Sequence, residues 1–296
     1  MNSNRRTFVV WMAALLSAGS FSANAQVLPE AVSVLRIPLV AKPTSRPMSV
    51  AFVPDYSRYF IADGGFAPMP DGYGIPMSRS EIHVYSEKGE HLQSVKPGLD
   101  NRSIYFNRNT DRLESITYNI SSGAGFTPNT GVFGLKLDDS GKLSEQTDEI
   151  HGHNPAFGGA ATMPTYDPAT NSYYAKQERS NKVLIVKLDS RTPVGEIALD
   201  FAAAGVKPDD LSEHFVAYTD IPGEELALLD VDHKAIVVFD LKGKFVGKSA
   251  LPAGMRLRAN NHYNGIGYAN DLFFVYHEPE GEFGTYYGFR ISDKTR

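Results

Sequence analysis

The chain has 296 residues, contains no cysteine and carries a formal net charge of −5 at neutral pH. An acidic chain without basic runs is a poor partner for nucleic acid or anionic lipid, so we expect it to bind neither. The lack of cysteine excludes disulfides, thiolate chemistry and cysteine metal ligands.

The first 25 residues have the order of a secretory signal peptide. The pair Arg5-Arg6 precedes an apolar run, Phe8 to Leu16, and the small residues Ala23 to Ala25 follow. This order predicts cleavage before Gln26 and a periplasmic or secreted protein. The apolar run is too short to span a bilayer, so we expect no membrane insertion. The stretch "NRRTFV" also resembles a twin-arginine signal, so both the general and the twin-arginine export routes stay open.

One type of strand recurs along the rest of the chain. Apolar residues at equivalent positions of its copies lie 51 or 52 residues apart: Val84, Leu135, Val186, Val238 and Phe289. Each copy is preceded by two other strand-like runs, and the first four copies are followed by a fourth run. Serial four-stranded units are the blades of a β-propeller. Residues 26–296 are therefore predicted to form a single all-β domain, a β-propeller with five four-stranded blades, with six blades as the alternative.

The fifth unit reaches Arg296 after only three strands. The run "AVSVLRIPLV", residues 31–40, belongs to no unit. We expect it to pair beside the third strand of the fifth unit and so to close the ring between the two ends of the chain. Pro38 fits this position because proline is tolerated on an edge strand. The side chains expected to be buried by this closure are Val34, Ile37 and Leu39. One short helix is expected within residues 201–214.

Two stretches carry a resemblance to known families. The first unit, "PMSVAFVPDYSRYFIADGG" followed by "EIHVYSEKGEHLQSV", resembles an NHL/YVTN-type repeat, with its P-x-x-V-A, (I/V)-A-D and I-x-V-(Y/F) strands. The stretch "NGIGYANDLFFVY" is similar to the N-G-I-A strand of the SMP-30/gluconolactonase family. The resemblance covers about two of the five units. It implies a propeller, usually of six blades, and a metal ligand at Asn264, but the acidic ligands of that family have no clear counterpart in this sequence.

Polar residues concentrate in one class of loops. In a propeller, two classes of links lie around the same end of the channel: those that lead into each first strand and those between second and third strands. Binding and catalytic residues are common in such loops. Six of the eight histidines fall in these links: 151, 153, 214, 233, 262 and 277. The residues that we expect to bind a ligand there are Arg46, Asn101, Arg102, His151, Asn261 and His277.

The histidines also suggest a metal centre. Neutral imidazole suits a divalent transition metal, and three such ligands with an open position are typical of catalytic sites. This hypothesis places a divalent ion, Zn or Ca, in the links. Its metal ligands are His153, His214, His262 and Asn264. Glu213 or Glu278 would then act as the general base. In the alternative, these histidines are loop residues that bond to backbone carbonyl groups.

The sequence favours one function and leaves a second as the alternative. In the first, the protein is an exported binding protein whose channel face holds a small molecule or an exported partner protein. In the second, it is a metal-dependent hydrolase of the lactonase or esterase type, as the gluconolactonase resemblance implies. The first needs only the fold and the polar links, whereas the second needs the imidazole and carboxyl groups to converge on one ion.

Overall fold

The structure is a computed structural model that describes residues 26–39, 47–63, 68–69, 72–73, 80–117, 130–159, 161–278 and 284–294. The predicted signal peptide, residues 1–25, and the predicted ligand-binding residue Arg46 lie outside these ranges. No helix in the described ranges is long and apolar enough to cross a membrane.

The described residues are dominated by β-structure. The strands are β1 (Val27–Pro38), β2 (Pro47–Val53), β3 (Arg58–Asp63), β4 (Pro68–Met69), β5 (Gly72–Tyr73), β6 (Glu81–Ser86), β7 (His91–Val95), β8 (Asn101–Asn107), β9 (Arg112–Thr117), β10 (Gly131–Leu137), β11 (Leu143–Gly152), β12 (Thr165–Asp167), β13 (Ser172–Lys176), β14 (Lys182–Val186), β15 (Gly195–Ala198), β16 (Ala217–Tyr218), β17 (Leu226–Asp230), β18 (Ala235–Phe239), β19 (Phe245–Ala250), β20 (Ile266–Ala269), β21 (Leu272–His277) and β22 (Thr285–Ser292). The short helix expected within 201–214 is α1 (Phe201–Ala204), which Asp200 caps by accepting a hydrogen bond from the Ala203 amide at 3.0 Å.

Twenty of the described strands form five antiparallel groups of four, whereas β4 and β5 pair only with each other. Three groups are separate sheets: β2-β3-β6-β7 (blade 1), β8-β9-β10-β11 (blade 2) and β12-β13-β14-β15 (blade 3). The groups β16-β17-β18-β19 (blade 4) and β20-β21-β22-β1 (blade 5) share one eight-stranded sheet, because β1 also pairs with β19.

The blades surround one axis. Their first strands contact each other in a closed cycle, β2 with β8, then β12, β16 and β20, and β20 again with β2. The predicted β-propeller is therefore confirmed. The number of blades stays a prediction, and the cycle among the described strands favours five.

The N-terminal strand pairs where the sequence predicts. β1 runs antiparallel to β22, with Ile37 opposite Tyr286 and Pro38 opposite Thr285. Ile37 is 0% exposed and Leu39 is buried, as expected. The expectation for Val34 is wrong, because Val34 is 56% exposed. The register shifts between Ser33 and Leu35, so an extra residue breaks the alternation and Val34 projects into solvent.

The turns between first and second strands share one backbone conformation. In four blades, the residue directly before the second strand has a positive φ between 49° and 60°. These residues are Ser57, Asp111, Asn171 and Asp271. Asn and Asp tolerate this left-handed conformation better than most side chains, and their side chains compete well for turn hydrogen bonds. The turns fix one end of the ring, which we call the lower mouth. The other end, where first strands begin and where second strands are linked to third strands, is called the upper rim.

Candidate functional site

Three side chains of the upper rim converge between blades 3 and 4. Glu178 lies in the link between β13 and β14, and Glu213 and His214 lie in the segment that leads into β16. One ligand atom from each of the three lies within 4.8 Å of the other two. We call Glu178, Glu213 and His214 the rim cluster. Two carboxylates and an imidazole at such distances form a donor set that suits a divalent metal ion.

Backbone hydrogen bonds from three blades fix the segment that carries Glu213 and His214. The carbonyl of His214 accepts from the Met163 amide of blade 3 at 2.8 Å, and the Ser212 amide donates to the Leu229 carbonyl of blade 4 at 2.8 Å. The Glu213 amide donates to the His262 carbonyl, before blade 5, at 2.7 Å. The backbone of the segment is therefore held between neighbouring blades.

The electrostatics of the rim cluster are unfavourable for Glu213 as a carboxylate. Glu213 is only 6% exposed, and its Oε2 has no hydrogen-bonding partner within the described part of the chain. Burial raises the pKa of the Glu213 carboxyl, and the negative charge of Glu178 raises it further. Arg179 and His262 act in the opposite direction. A buried carboxylate beside a second carboxylate needs a proton or a cation to offset its charge.

A buried amine borders the cluster. Lys176, the last residue of β13, is 1% exposed, and its Nζ donates to the Gln177 carbonyl at 2.7 Å. Burial lowers the pKa of this amine to about 8, although the charge of Glu213 opposes the shift. An amine with this pKa can exchange a proton near neutral pH, which is what a general acid or base requires.

His262 lies next to the cluster without joining it. Its Nδ1 donates to the Leu211 carbonyl at 3.3 Å, and its Nε2 lies 3.4 Å from Oδ1 of Asp232. Both ring nitrogens therefore have partners other than a metal. His153 is exposed and lies outside the rim cluster. Asn264, whose role was implied by the resemblance, is buried and also lies outside the cluster.

The polar residues before β20 and after β21 form hydrogen bonds and an ion pair with neighbouring residues. Asn261 donates from Nδ2 to the Tyr276 carbonyl at 3.1 Å and accepts from the Arg258 amide at 2.8 Å. Glu278 forms an ion pair with Arg258 and lies 3.3 Å from the Tyr276 hydroxyl, which donates to it. This pairing leaves Glu278 poorly suited to act as a base at the rim cluster.

The other predicted ligand-binding residues are engaged within the fold. Asn101 donates to Oγ of Ser80 at 3.2 Å and accepts from Oγ of Ser115 at 2.8 Å. Arg102 is buried with its Nε 3.3 Å from Asp100.

The two remaining histidines of the predicted set also have neighbours inside the fold. His151 donates from Nδ1 to the Gly152 carbonyl at 2.8 Å. The ring of His277 lies 5.8 Å from that of Tyr287. The structure thus brings together Glu213 and His214 of the predicted set, and it adds Glu178. The sequence reasoning missed Glu178 as a ligand, and its place in the link that follows the second strand of blade 3 was the available signal.

Comparisons with known proteins identify the fold and not the chemistry. No protein-family model matches the chain, and no curated protein matches it by sequence. A solved structure of glutaminyl cyclase from Myxococcus xanthus matches with a TM-score of 0.52 at 11% identity, over 90% of this chain and 100% of that chain. At this identity the match shows a shared fold alone.

Two further solved structures match less closely. The periplasmic gluconolactonase of Pseudomonas aeruginosa has a TM-score of 0.39 at 14% identity, over 85% of this chain and 73% of that chain. A protein of unknown function from Bacteroides thetaiotaomicron has a TM-score of 0.47 at 11% identity, over 89% and 73%. Both scores lie below 0.5 and carry no argument about this chain. The match to glutaminyl cyclase is a match of fold and agrees with the propeller topology of the strands.

Proposed function

We propose that this protein is an exported β-propeller that binds a divalent cation at the rim cluster and, through it, a small molecule on the channel face. The observation that carries the proposal is the convergence of Glu178, Glu213 and His214 within 4.8 Å, with Glu213 buried. Export rests on the signal-like order of the first 25 residues.

The chemistry of the three donors favours particular ions. An imidazole with two carboxylates suits Zn²⁺ or another first-row divalent ion better than Ca²⁺, which prefers six to eight oxygen ligands. Three protein ligands leave coordination positions for a small molecule. The same residues offer one other arrangement, in which the two carboxyl groups share a proton. Because a metal must displace that proton, its affinity should rise with pH.

The surroundings favour a ligand with an oxygen donor. Arg179 is exposed beside the cluster, with its Nε 3.9 Å from Oε1 of Glu178. A guanidinium group next to a metal ion would attract a carboxylate or another oxyanion. We therefore expect small organic acids to bind more tightly when the ion is present.

Metal-dependent hydrolysis is a second candidate function, and one observation favours it. The buried amine of Lys176, with its pKa lowered to about 8, borders Glu213. Such an amine can accept a proton from a water molecule held at the cluster. A panel of lactones and esters tests this function. Turnover that depends on metal and falls at least about a hundredfold in Lys176→Gln would support it, and no turnover of any panel member would contradict it.

Metal content tests the binding proposal. Protein purified without chelator is analysed by elemental mass spectrometry and titrated with Zn²⁺, Mn²⁺ and Ca²⁺ after chelator treatment. We expect about one equivalent of metal, as a single three-ligand site requires. Glu213→Gln and His214→Ala should lose it, whereas the matched control His153→Ala, an exposed rim histidine outside the cluster, should keep it. Less than about a tenth of an equivalent, with no binding of any of the three ions, would overturn the proposal.

A further inference from the structure

A cavity lies at the lower mouth, at the opposite end of the ring from the rim cluster. It has a volume of about 160 Å³, and residues from all five first strands or the turns that follow them line it. Since these five strands surround one axis, the cavity lies on that axis. The strands contribute side chains near their ends, whereas the rim cluster lies where first strands begin, so the two sites are separate.

An aromatic ring occupies the equivalent position in each first strand. The five residues are Phe52, Phe106, Tyr166, Tyr218 and Tyr268, and each pairs with the first or second residue of the following strand. Tyr166 is buried, and the other four are only half-buried although they belong to the innermost strands. Their exposed surface faces the cavity that they line.

Neighbouring residues hold these rings in place. Tyr166 stacks on Tyr105 with ring centroids 5.2 Å apart, and Tyr218 stacks on Tyr174 at the same separation. The Tyr166 hydroxyl donates to Oδ1 of Asn171 at 2.8 Å. The aromatic wall is therefore formed before any ligand arrives, which lowers the entropic cost of binding.

Three polar side chains from different blades complete the cavity. Arg108 of blade 2 is exposed and makes no ion pair or side-chain hydrogen bond with the residues that the structure describes. Asp220 of blade 4 accepts from the Tyr218 hydroxyl at 3.3 Å. Asn270 of blade 5 donates from Nδ2 to the Tyr59 hydroxyl at 2.9 Å, which leaves its carbonyl oxygen as an acceptor. The cavity thus offers one cationic donor and two groups of acceptors.

We propose that the lower mouth binds one six-membered ring that carries a carboxylate, as a sugar acid does. A cavity of about 150 Å³ admits a benzene-sized ring, so the observed volume fits one ring. Aromatic side chains pack against the faces of such a ring, and the guanidinium of Arg108 binds its carboxylate. Asp220 and Asn270 accept hydrogen bonds from ring hydroxyl groups, which is why a sugar acid fits better than an aromatic acid. Binding here does not depend on the cation at the upper rim.

Titration calorimetry with three probes tests this proposal: glucuronate, glucose and benzoate. Chelator is present throughout, so failure of the metal site and failure of this site are distinguishable. We expect glucuronate to bind with a Kd of about 1 mM or below, and glucose more weakly. Arg108→Gln should weaken glucuronate binding at least about tenfold, since it removes a charge-assisted bond. The matched control Arg191→Gln, an exposed arginine in the turn between β14 and β15, should change nothing.

A second variant distinguishes a sugar acid from an aromatic acid as the ligand. Asp220→Asn should weaken glucuronate binding and leave any benzoate binding unchanged. If benzoate binds in an Arg108-dependent manner and glucuronate does not bind, the site accepts a ring that carries a carboxylate. That result would overturn the assignment of the ligand as a sugar acid. Failure of both acids to saturate the site at about 20 mM, or equal binding by wild type and Arg108→Gln, would overturn the proposal. Unchanged circular dichroism and melting temperature of the variants exclude misfolding as the cause.

Discussion

Replacing Glu213 with Gln should stabilise the protein in the presence of a chelator while it removes the metal site. Glu213 is buried beside Glu178, so its pKa is raised above the value in the unfolded chain. For an acid with a raised pKa, folding stability falls as pH rises from the unfolded pKa through the folded pKa. Glutamine has nearly the same shape and no charge, so the variant escapes this loss at pH 7 and gains nothing at pH 4.

The magnitude follows from the geometry. The carboxylate oxygens lie no more than 4.8 Å apart. At this distance, like charges repel by about 3.5 kcal/mol at an effective dielectric constant of about 20 and by about 0.9 kcal/mol in bulk water. Glu178 is half exposed, so water screens the pair and the lower part of the range applies. We expect about 1–2 kcal/mol at pH 7, or about 2–8 °C in melting temperature for a domain of this size.

Differential scanning calorimetry at pH 4 and pH 7 measures both effects. In chelator, Glu213→Gln should melt higher than wild type at pH 7 and at the same temperature at pH 4. Added Zn²⁺ should raise the melting temperature of wild type by mass action and leave the variant unchanged. Glu145→Gln, an exposed carboxylate on β11, is the matched control and should behave as wild type. A variant that melts lower than wild type at pH 7 in chelator, or that zinc stabilises as much as wild type, would refute this reasoning.

Three further predictions follow from the fold and the buried polar groups. Ile37→Ala should cost about 2–5 kcal/mol in denaturant unfolding because β1 closes the ring, whereas Val34→Ala on the same strand should cost less than about 0.5 kcal/mol; equal losses would contradict the closure. Lys176→Met should raise the melting temperature at pH 7. The pKa of Lys176 is lowered from 10.5 to about 8 in the folded protein, so the folded state loses stability relative to the unfolded chain as pH falls from 10.5 through 8. This gain should shrink towards pH 10.5, and a gain independent of pH would be inconsistent with a buried charge. Asn261→Ala should lower unfolding free energy by about 1–3 kcal/mol, because the Tyr276 carbonyl loses its donor; an unchanged denaturation midpoint would show that water replaces the amide.

Much of the fold was readable in the sequence because the blades repeat. Each unit carries the same strands at nearly the same spacing, so alternating apolar residues predicted the four-stranded groups. The N-terminal strand was found as a run that no unit claimed. Val34 was misplaced because a bulge leaves no mark in an alternating pattern, and only the register against β22 reveals it.

The sequence predicted where the candidate site lies but not which side chains form it. Glu213 and His214 were found because they lie in a link that leads into a first strand. Glu178 was missed because the metal hypothesis was built on histidines, although Glu178 lies in a link of the same class. His262 and His153 were chosen by residue type. In the structure, the His262 ring bonds to the Leu211 carbonyl and the His153 side chain is exposed to solvent. The direction of a loop side chain depends on contacts from other blades, which spacing along the chain does not encode.

Anomalous diffraction from crystals of protein purified without chelator tests the central claim most directly. Data collected above and below the zinc edge should give one peak between blades 3 and 4, at about 2.0–2.2 Å from an oxygen of Glu178, an oxygen of Glu213 and a nitrogen of His214. The same crystals soaked in Zn²⁺ should strengthen that peak. Electron density that joins the two carboxyl groups at hydrogen-bonding distance, with no anomalous peak even after the soak, would contradict the account.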